Sequence, residues 1–167
     1  GGIAVDSKCG EGTRFSVYLP VSKSRIPSML PAPRVAAAQV PRGLNVLVVD
    51  DEEAVRRTVA AFLTALDADV STAVDGLDAL VKVRDSSAPL DLVILDLTMP
   101  RLDGAATLER LRTHDSSLPI VLMSGYSDSE VSHHLTQLNH LQFLQKPFNM
   151  AAFSHAVAQA LQGAAMG

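Results

Sequence analysis

Apolar and polar positions change rhythm along the chain. Over residues 1–20 they alternate: Ile3 and Val5, then Phe15, Val17 and Leu19, with Gly10-Glu11-Gly12 between. Alternation broken by a glycine turn predicts a hairpin of two strands. Two strands alone are marginal in water, so this piece is expected to lean on something else. Residues 21–43 hold Pro27, Pro31, Pro33 and Pro41, several serines and the run Ala36-Ala37-Ala38. That composition predicts a mostly extended linker. There is no internal repeat.

From Leu44 strands and helices take turns. Leu44–Val49 is apolar nearly throughout, as a strand buried on both faces would be. Val55, Val59, Phe62, Leu63 and Leu66 recur at helical spacing over 52–66. Val70–Val74 predicts a short strand. The helix over 77–83 has Leu77, Leu80 and Val81 on one side. Leu90–Leu95 predicts a buried strand, 105–111 a helix, and Ile120–Met123 a third apolar strand. Ser127 and Glu130 have capping-box spacing, and a helix is expected to about Leu138. Leu141–Leu144 predicts the fifth strand. Asn149 is placed to cap a last helix with Ala152, Phe153, Ala156, Val157 and Leu161 inward. Five strands alternating with five helices predict a parallel sheet covered by helices on both faces.

Composition narrows the classes. The chain has 167 residues, 47% apolar and 19% charged, as a globular domain does. No apolar run nears the roughly 20 residues a membrane span needs, and the start is not a signal peptide. The single cysteine, Cys9, fits a reducing compartment. Residues 1–43 carry six basic and two acidic side chains, and the remainder eight basic and sixteen acidic. An acidic domain without a basic face is a poor binder of nucleic acid, and the sparse basic arm reads as a solvated linker.

Candidate chemistry sits just after the strands, where folds of this class bind ligands. Asp50 and Asp51 follow strand one, Asp96 strand three, Ser124 and Gly125 strand four, and Lys146 and Pro147 strand five. A double acid also suits a helix N-terminus, and Glu52 and Glu53 need no other reading. Asp96 alone fits a turn before Pro100, and Ser124 alone fits a helix cap. The conjunction is what points to a site, since each residue ends a different strand. Crowded carboxylates repel, so without a cation at least one should titrate high. Few carboxylates with open water positions suit Mg2+ better than a calcium cage. With Lys146 and Ser124 the set matches phosphoryl transfer, and one carboxylate can be a nucleophile that forms an aspartyl phosphate.

The stretches VLVVDDEEAVR (46–56), LVILDLTMPRLDG (92–104), IVLMSGYSD (120–128) and FLQKPF (143–148) resemble the receiver domain of two-component response regulators, in order and spacing, over about residues 44–163. The resemblance implies a flavodoxin-like, doubly wound α/β fold with strand order 2-1-3-4-5. It implies that Asp96 accepts a phosphoryl group from a phosphohistidine, and that Mg2+ is bound by Asp51 directly, by Asp50 mainly through water, by Asp96 and by the backbone carbonyl of Thr98. Ser124 and Lys146 would hold phosphoryl oxygens. Phe143 would reorient as Ser124 moves inward, and the Lys146–Pro147 peptide would be cis. Thr98, Gly125 and Tyr126 would edge the pocket and tune phosphate lifetime. His133 and His134 diverge by about 100° on a helix and read as an exposed face.

The first zone, GGIAVDSKCGEGTRFSVYLP, resembles the end of a histidine-kinase ATP-binding domain. Only its final hairpin is present, so no ATP binding is expected. Together these imply a piece of a hybrid histidine kinase: remnant hairpin at 1–20, linker at 21–43, receiver at 44–164. Expected partners are a kinase's phosphohistidine domain and a histidine phosphotransfer protein, with no nucleic acid or membrane contact, in the cytoplasm, as a monomer or weak dimer. No DNA-binding domain is expected after Gly167, so output is expected through protein contacts at the face of the fourth helix, fifth strand and fifth helix. Two other classes stay open. An aspartate-nucleophile phosphatase has an acid two residues after its nucleophile, where this chain has Thr98. A binding module without phosphorylation would lack a site residue, and none is missing.

Overall fold

The apolar runs become the middle of a five-stranded parallel sheet. A computed structural model of the protein describes residues 1–20, 40–86, 88–125 and 140–164. The chain divides into two units, Gly1–Arg34 and Val35–Gly167. In the first, β1 (Gly2–Lys8) and β2 (Gly12–Tyr18) pair antiparallel, with Ile3 opposite Val17 and Val5 opposite Phe15. Gly10 and Gly12 turn the chain at φ 80° and 99°, where glycine is unhindered.

The second unit holds β3 (Asn45–Val49), β4 (Asp69–Ala73), β5 (Leu92–Asp96), β6 (Ile120–Ser124) and β7 (Leu141–Gln145). Their spatial order is β4-β3-β5-β6-β7, all parallel, which is the 2-1-3-4-5 order expected. Helices α1 (Glu53–Ala65), α2 (Gly76–Asp85), α3 (Gly104–His114) and α4 (Met150–Ala164) cover it. The helix expected over 127–138, with Ser127, Glu130, His133 and His134, lies outside the described residues, as do Tyr126 and the linker over 21–39.

Alternate residues of each central strand enter two separate cores. Val46, Val48, Leu92, Ile94, Val121 and Met123 meet Val59 and Leu63 of α1 and Phe153 and Val157 of α4. Leu47, Val49, Val93, Leu95, Ile120 and Leu122 meet Ala79 of α2 and Leu108 and Leu111 of α3. Each such side chain, taken fully out of water, stabilises the fold by roughly 1.5–3 kcal/mol before entropy is counted. Phe153 anchors the first core, with its ring centroid 5.6 Å from Phe62 and 6.0 Å from Phe148.

Two faces differ from the spacing argument. In α2 the buried residues are Gly76 and Ala79 and Leu80 is half-buried against the core, while Leu77 and Val81 are exposed. The helix approaches so closely that a Cβ on Gly76 would lie 3.0 Å from the Leu102 carbonyl oxygen, so small residues make the contact. In α4, Ala152 is exposed and Ala160 buried. Among the described residues no helix is long and apolar enough to cross a membrane.

Candidate functional site

The sheet delivers its polar residues to one rim. The ladder runs one hydrogen bond past the strands: the amide of Asp50 donates to the Ala73 carbonyl (3.3 Å), that of Leu97 to Met123 (3.0 Å), and that of Lys146 to Ser124 (2.7 Å). The backbone at each of Asp50, Leu97 and Lys146 is therefore held by a neighbouring strand.

Lys146 is the hub. Its Nζ donates to Asp50 Oδ2 at 2.8 Å and to Asp96 Oδ1 at 2.9 Å. Asp50 is fully buried and Asp96 is 4% exposed. The exposed Asp51 brings a third carboxylate, and oxygens of all three lie within 4.8 Å of one another. Burial pushes the Asp96 carboxyl above the ordinary aspartate value; the Lys146 bond and charge pull it down, and the charges of Asp50 and Asp51 push it up again. Burial acts to lower Lys146, but its two carboxylate bonds outweigh it and leave the ammonium above the usual lysine value.

Other residues named from the sequence fall around this hub. Ser124 is buried at the end of β6, next to the strand that carries Lys146. Thr98 is exposed, two residues past Asp96. Among the described residues, a side chain at Gly125 would meet nothing within 4 Å. Phe143 is half-buried against the core under α2 and α3. The Lys146–Pro147 peptide is cis. At Gly104 a Cβ would lie 2.3 Å from the Asp96 carbonyl oxygen, so only glycine lets α3 start against the loop after β5.

The contacts of three residues were not found from the sequence. Arg56 Nη1 donates to the carbonyls of Asp50 (2.7 Å) and Asp51 (2.9 Å). Asp75, 1% exposed, caps α2 through the amide of Asp78 (2.8 Å) and pairs with Arg101 of the loop after β5. Thr107 Oγ donates to the Asp103 carbonyl at 2.6 Å, on the same side of that loop. Only Arg56 leaves a trace in the sequence: a cation in the first turn of a helix opposes the helix dipole and so needs a partner.

Three carboxylates facing one lysine leave the pocket with an excess of negative charge, and the charges of Asp50 and Asp51 add to the upward push that burial gives Asp96. The donors are all hard oxygens, which fits a divalent cation such as Mg2+.

Residues 46–158 match the response regulator receiver domain. The chain belongs to that family. Receivers act in two-component phosphorelay signalling by taking a phosphoryl group onto an aspartate, with Mg2+ at an acidic pocket. This receiver is 32% identical over 145 residues to the chemotaxis protein CheY of Treponema pallidum, covering 85% of this chain and 99% of that one. It is 29% identical over 168 residues to the sensor kinase CckA of Brucella abortus, covering 97% of this chain. The chain spans only 18% of that kinase. Among solved structures it is similar to the receiver domain of NtrX from Brucella abortus, with a TM-score of 0.63, 32% identity, and 70% of this chain and 98% of that one covered.

Proposed function

We propose that Asp96 is the phosphoacceptor of this receiver and that a phosphohistidine is its donor. An Asp96 carboxylate oxygen attacks phosphorus, the phosphorus–nitrogen bond breaks, and its electron pair returns to the imidazole ring. The product is an aspartyl phosphate. Lys146, now shared between Asp50 and Asp96, turns its ammonium to a phosphoryl oxygen, and Ser124 offers its hydroxyl to another. Asp50, Asp51, Asp96 and the Thr98 carbonyl would hold Mg2+. When bound, the ion neutralises charge on the carboxylates and the phosphoryl oxygens. Phe143 answers the inward movement of Ser124, and Thr98, Gly125 and Tyr126 edge the pocket and set how readily water reaches the phosphate. Output leaves through the face to which β7 and α4 contribute.

The single observation that carries this reading is Lys146 Nζ bonding carboxylates from two strands, 2.8 and 2.9 Å away, with a third carboxylate beside them. Intact-mass spectrometry after incubation with Mg2+ and acetyl phosphate tests it. One added phosphoryl group is expected on the wild type, and none on Asp96→Asn or in excess chelator. An unmodified wild type that also fails to bind beryllofluoride would overturn the reading and leave a binding module without phosphorylation.

The parent is read as a hybrid histidine kinase. The match to the sensor kinase CckA over 97% of the chain supports this, because it takes in the hairpin as well as the receiver. Residues 1–20 would then be the last hairpin of the kinase's ATP-binding domain and 21–43 the linker. The phosphate would come from the kinase's own histidine and pass to a histidine phosphotransfer protein on the cytoplasmic side. Phosphate exchange between the purified receiver and the histidine-bearing domain of such a kinase, timed by radiolabel, tests the partner.

A further inference from the structure

Four helices are described, and three begin in the same way. Asp75 accepts from the amide of Asp78 at the start of α2, Asp103 from that of Ala106 at α3, and Asn149 from that of Ala152 at α4, at 2.8, 2.8 and 2.9 Å. The helix that leaves the acidic pocket is different. Glu52, the residue before α1, makes no side-chain cap bond. Asp50, two residues earlier, accepts instead from the amide of Glu52 with Oδ1 (2.8 Å) while its Oδ2 receives Lys146. The β3–α1 turn therefore lacks the ordinary fastening at the place where two carboxylates must be aimed.

Arg56 supplies the fastening. It stands in the first turn of α1, where the helix dipole disfavours a cation. Its guanidinium folds back, and Nη1 alone donates to both carbonyls of the turn, those of Asp50 (2.7 Å) and Asp51 (2.9 Å). Hydrogen bonds from a charged donor are roughly twice as strong as neutral ones. Two from one nitrogen fix the two peptide planes relative to each other. Those planes flank the Asp51 Cα and so fix its Cα–Cβ direction, while Asp50 is held between the first of them and its own amide bond to the Ala73 carbonyl.

We infer that Arg56 is a positioning residue for the divalent cation: by clamping the Asp50 and Asp51 carbonyls it keeps their carboxylates converged on Asp96. This rests on the reading of that cluster as an Mg2+ site. The effect opposes simple electrostatics, which makes it separable. Removing a positive charge beside a cation site should tighten Mg2+ binding by Coulomb's law alone. Removing a positioning clamp should loosen it.

The test is Mg2+ titration by calorimetry on the full chain, with thermal melting in chelator and in saturating Mg2+. Arg56→Met is expected to weaken Mg2+ about tenfold and to shrink the rise in Tm that Mg2+ produces. Arg56→Lys is expected to recover affinity to within about threefold, since one ammonium can serve both carbonyls. Arg56→Gln repeats the loss should the methionine variant fold poorly. Arg57→Met, the same charge change at an exposed neighbour, is expected to leave binding unchanged or slightly tighter. Equal or tighter Mg2+ binding by both Arg56→Met and Arg56→Gln, with Tm lowered alike in chelator and Mg2+, would overturn the inference and leave Arg56 a purely structural residue. A wild type that takes up no Mg2+ would overturn the metal reading, and this inference with it.

Discussion

The protein contains two β structures that use similar side chains to opposite ends. In the hairpin, Ile3, Val5, Phe15, Val17, Tyr18 and Leu19 are between 57 and 81% exposed. In the central sheet every residue of β5 and β6 is buried. Both have complete backbone ladders. The difference is the covering layer: α1 and α4 close one face of the sheet and α2 and α3 the other. A net hydrogen bond adds only about 1 kcal/mol, so pairing shapes a strand while burial holds it. The lesson reaches the site, because the carboxylates of Asp50 and Asp96 borrow their position from the buried structure.

The largest test of this contrast lies in the core. Ile94→Ala, in the middle of β5, is expected to cost about 3–4 kcal/mol in urea unfolding, whereas Val17→Ala in the hairpin should stay within about 0.5 kcal/mol. Equal losses would break the comparison and mean that the hairpin's apolar face is covered after all. Gly104→Ala comes next, at about 2–3 kcal/mol, because its Cβ would strike the Asp96 carbonyl and Leu97. It should also slow phosphorylation, read by intact mass, as the backbone of Asp96 is displaced.

Lys146→Met should cost about 2 kcal/mol without metal, since it strands Asp50 and Asp96 with no cation between them. Mg2+ should restore part of that loss, measured as a larger rise in Tm than in the wild type. The smallest effect is expected from Asp96→Asn. The Asp96 carboxyl, pushed above the ordinary 3.8 by burial, binds more protons folded than unfolded. Its contribution to stability therefore falls as pH climbs from about the unfolded value through the folded one. Metal-free Asp96→Asn should equal or exceed the wild type by up to about 1 kcal/mol at neutral pH, with the gap closing on acidification. A gap that widens towards acid would show that the Lys146 bond, not burial, governs this carboxyl.

Much of this was readable along the chain. Where a strand is buried on both faces, its apolar run ends abruptly, and that end marks the rim. Asp50, Asp96 and Ser124 were visible as the first polar residues after such runs, and Lys146 stood just past Gln145 at the end of the less buried β7. What escaped depends on distances between elements. Leu77 and Val81 look like core on spacing alone, but α2 approaches the Leu102 loop closely at Gly76, and it is Gly76 and Ala79 that are buried. Asp75 and Arg101 are 26 positions apart, and only the folded chain brings them together. Arg56 is marked in the sequence only as a cation in the first turn of a helix; its partners are main-chain carbonyls, which carry no residue-type signature.

The extra rungs of the ladder at Asp50, Leu97 and Lys146 have a consequence for how such a protein can change over generations. They tie the reacting atoms to the stiffest part of the molecule and leave the loops beyond them without that duty. On the proposed reading of the site, substitutions at Thr98, Gly125 or the turn after Pro147 would then change phosphate lifetime or partner choice while the transfer chemistry stays in register. One scaffold can thus be retuned for a fast or a slow message without relearning how to receive it.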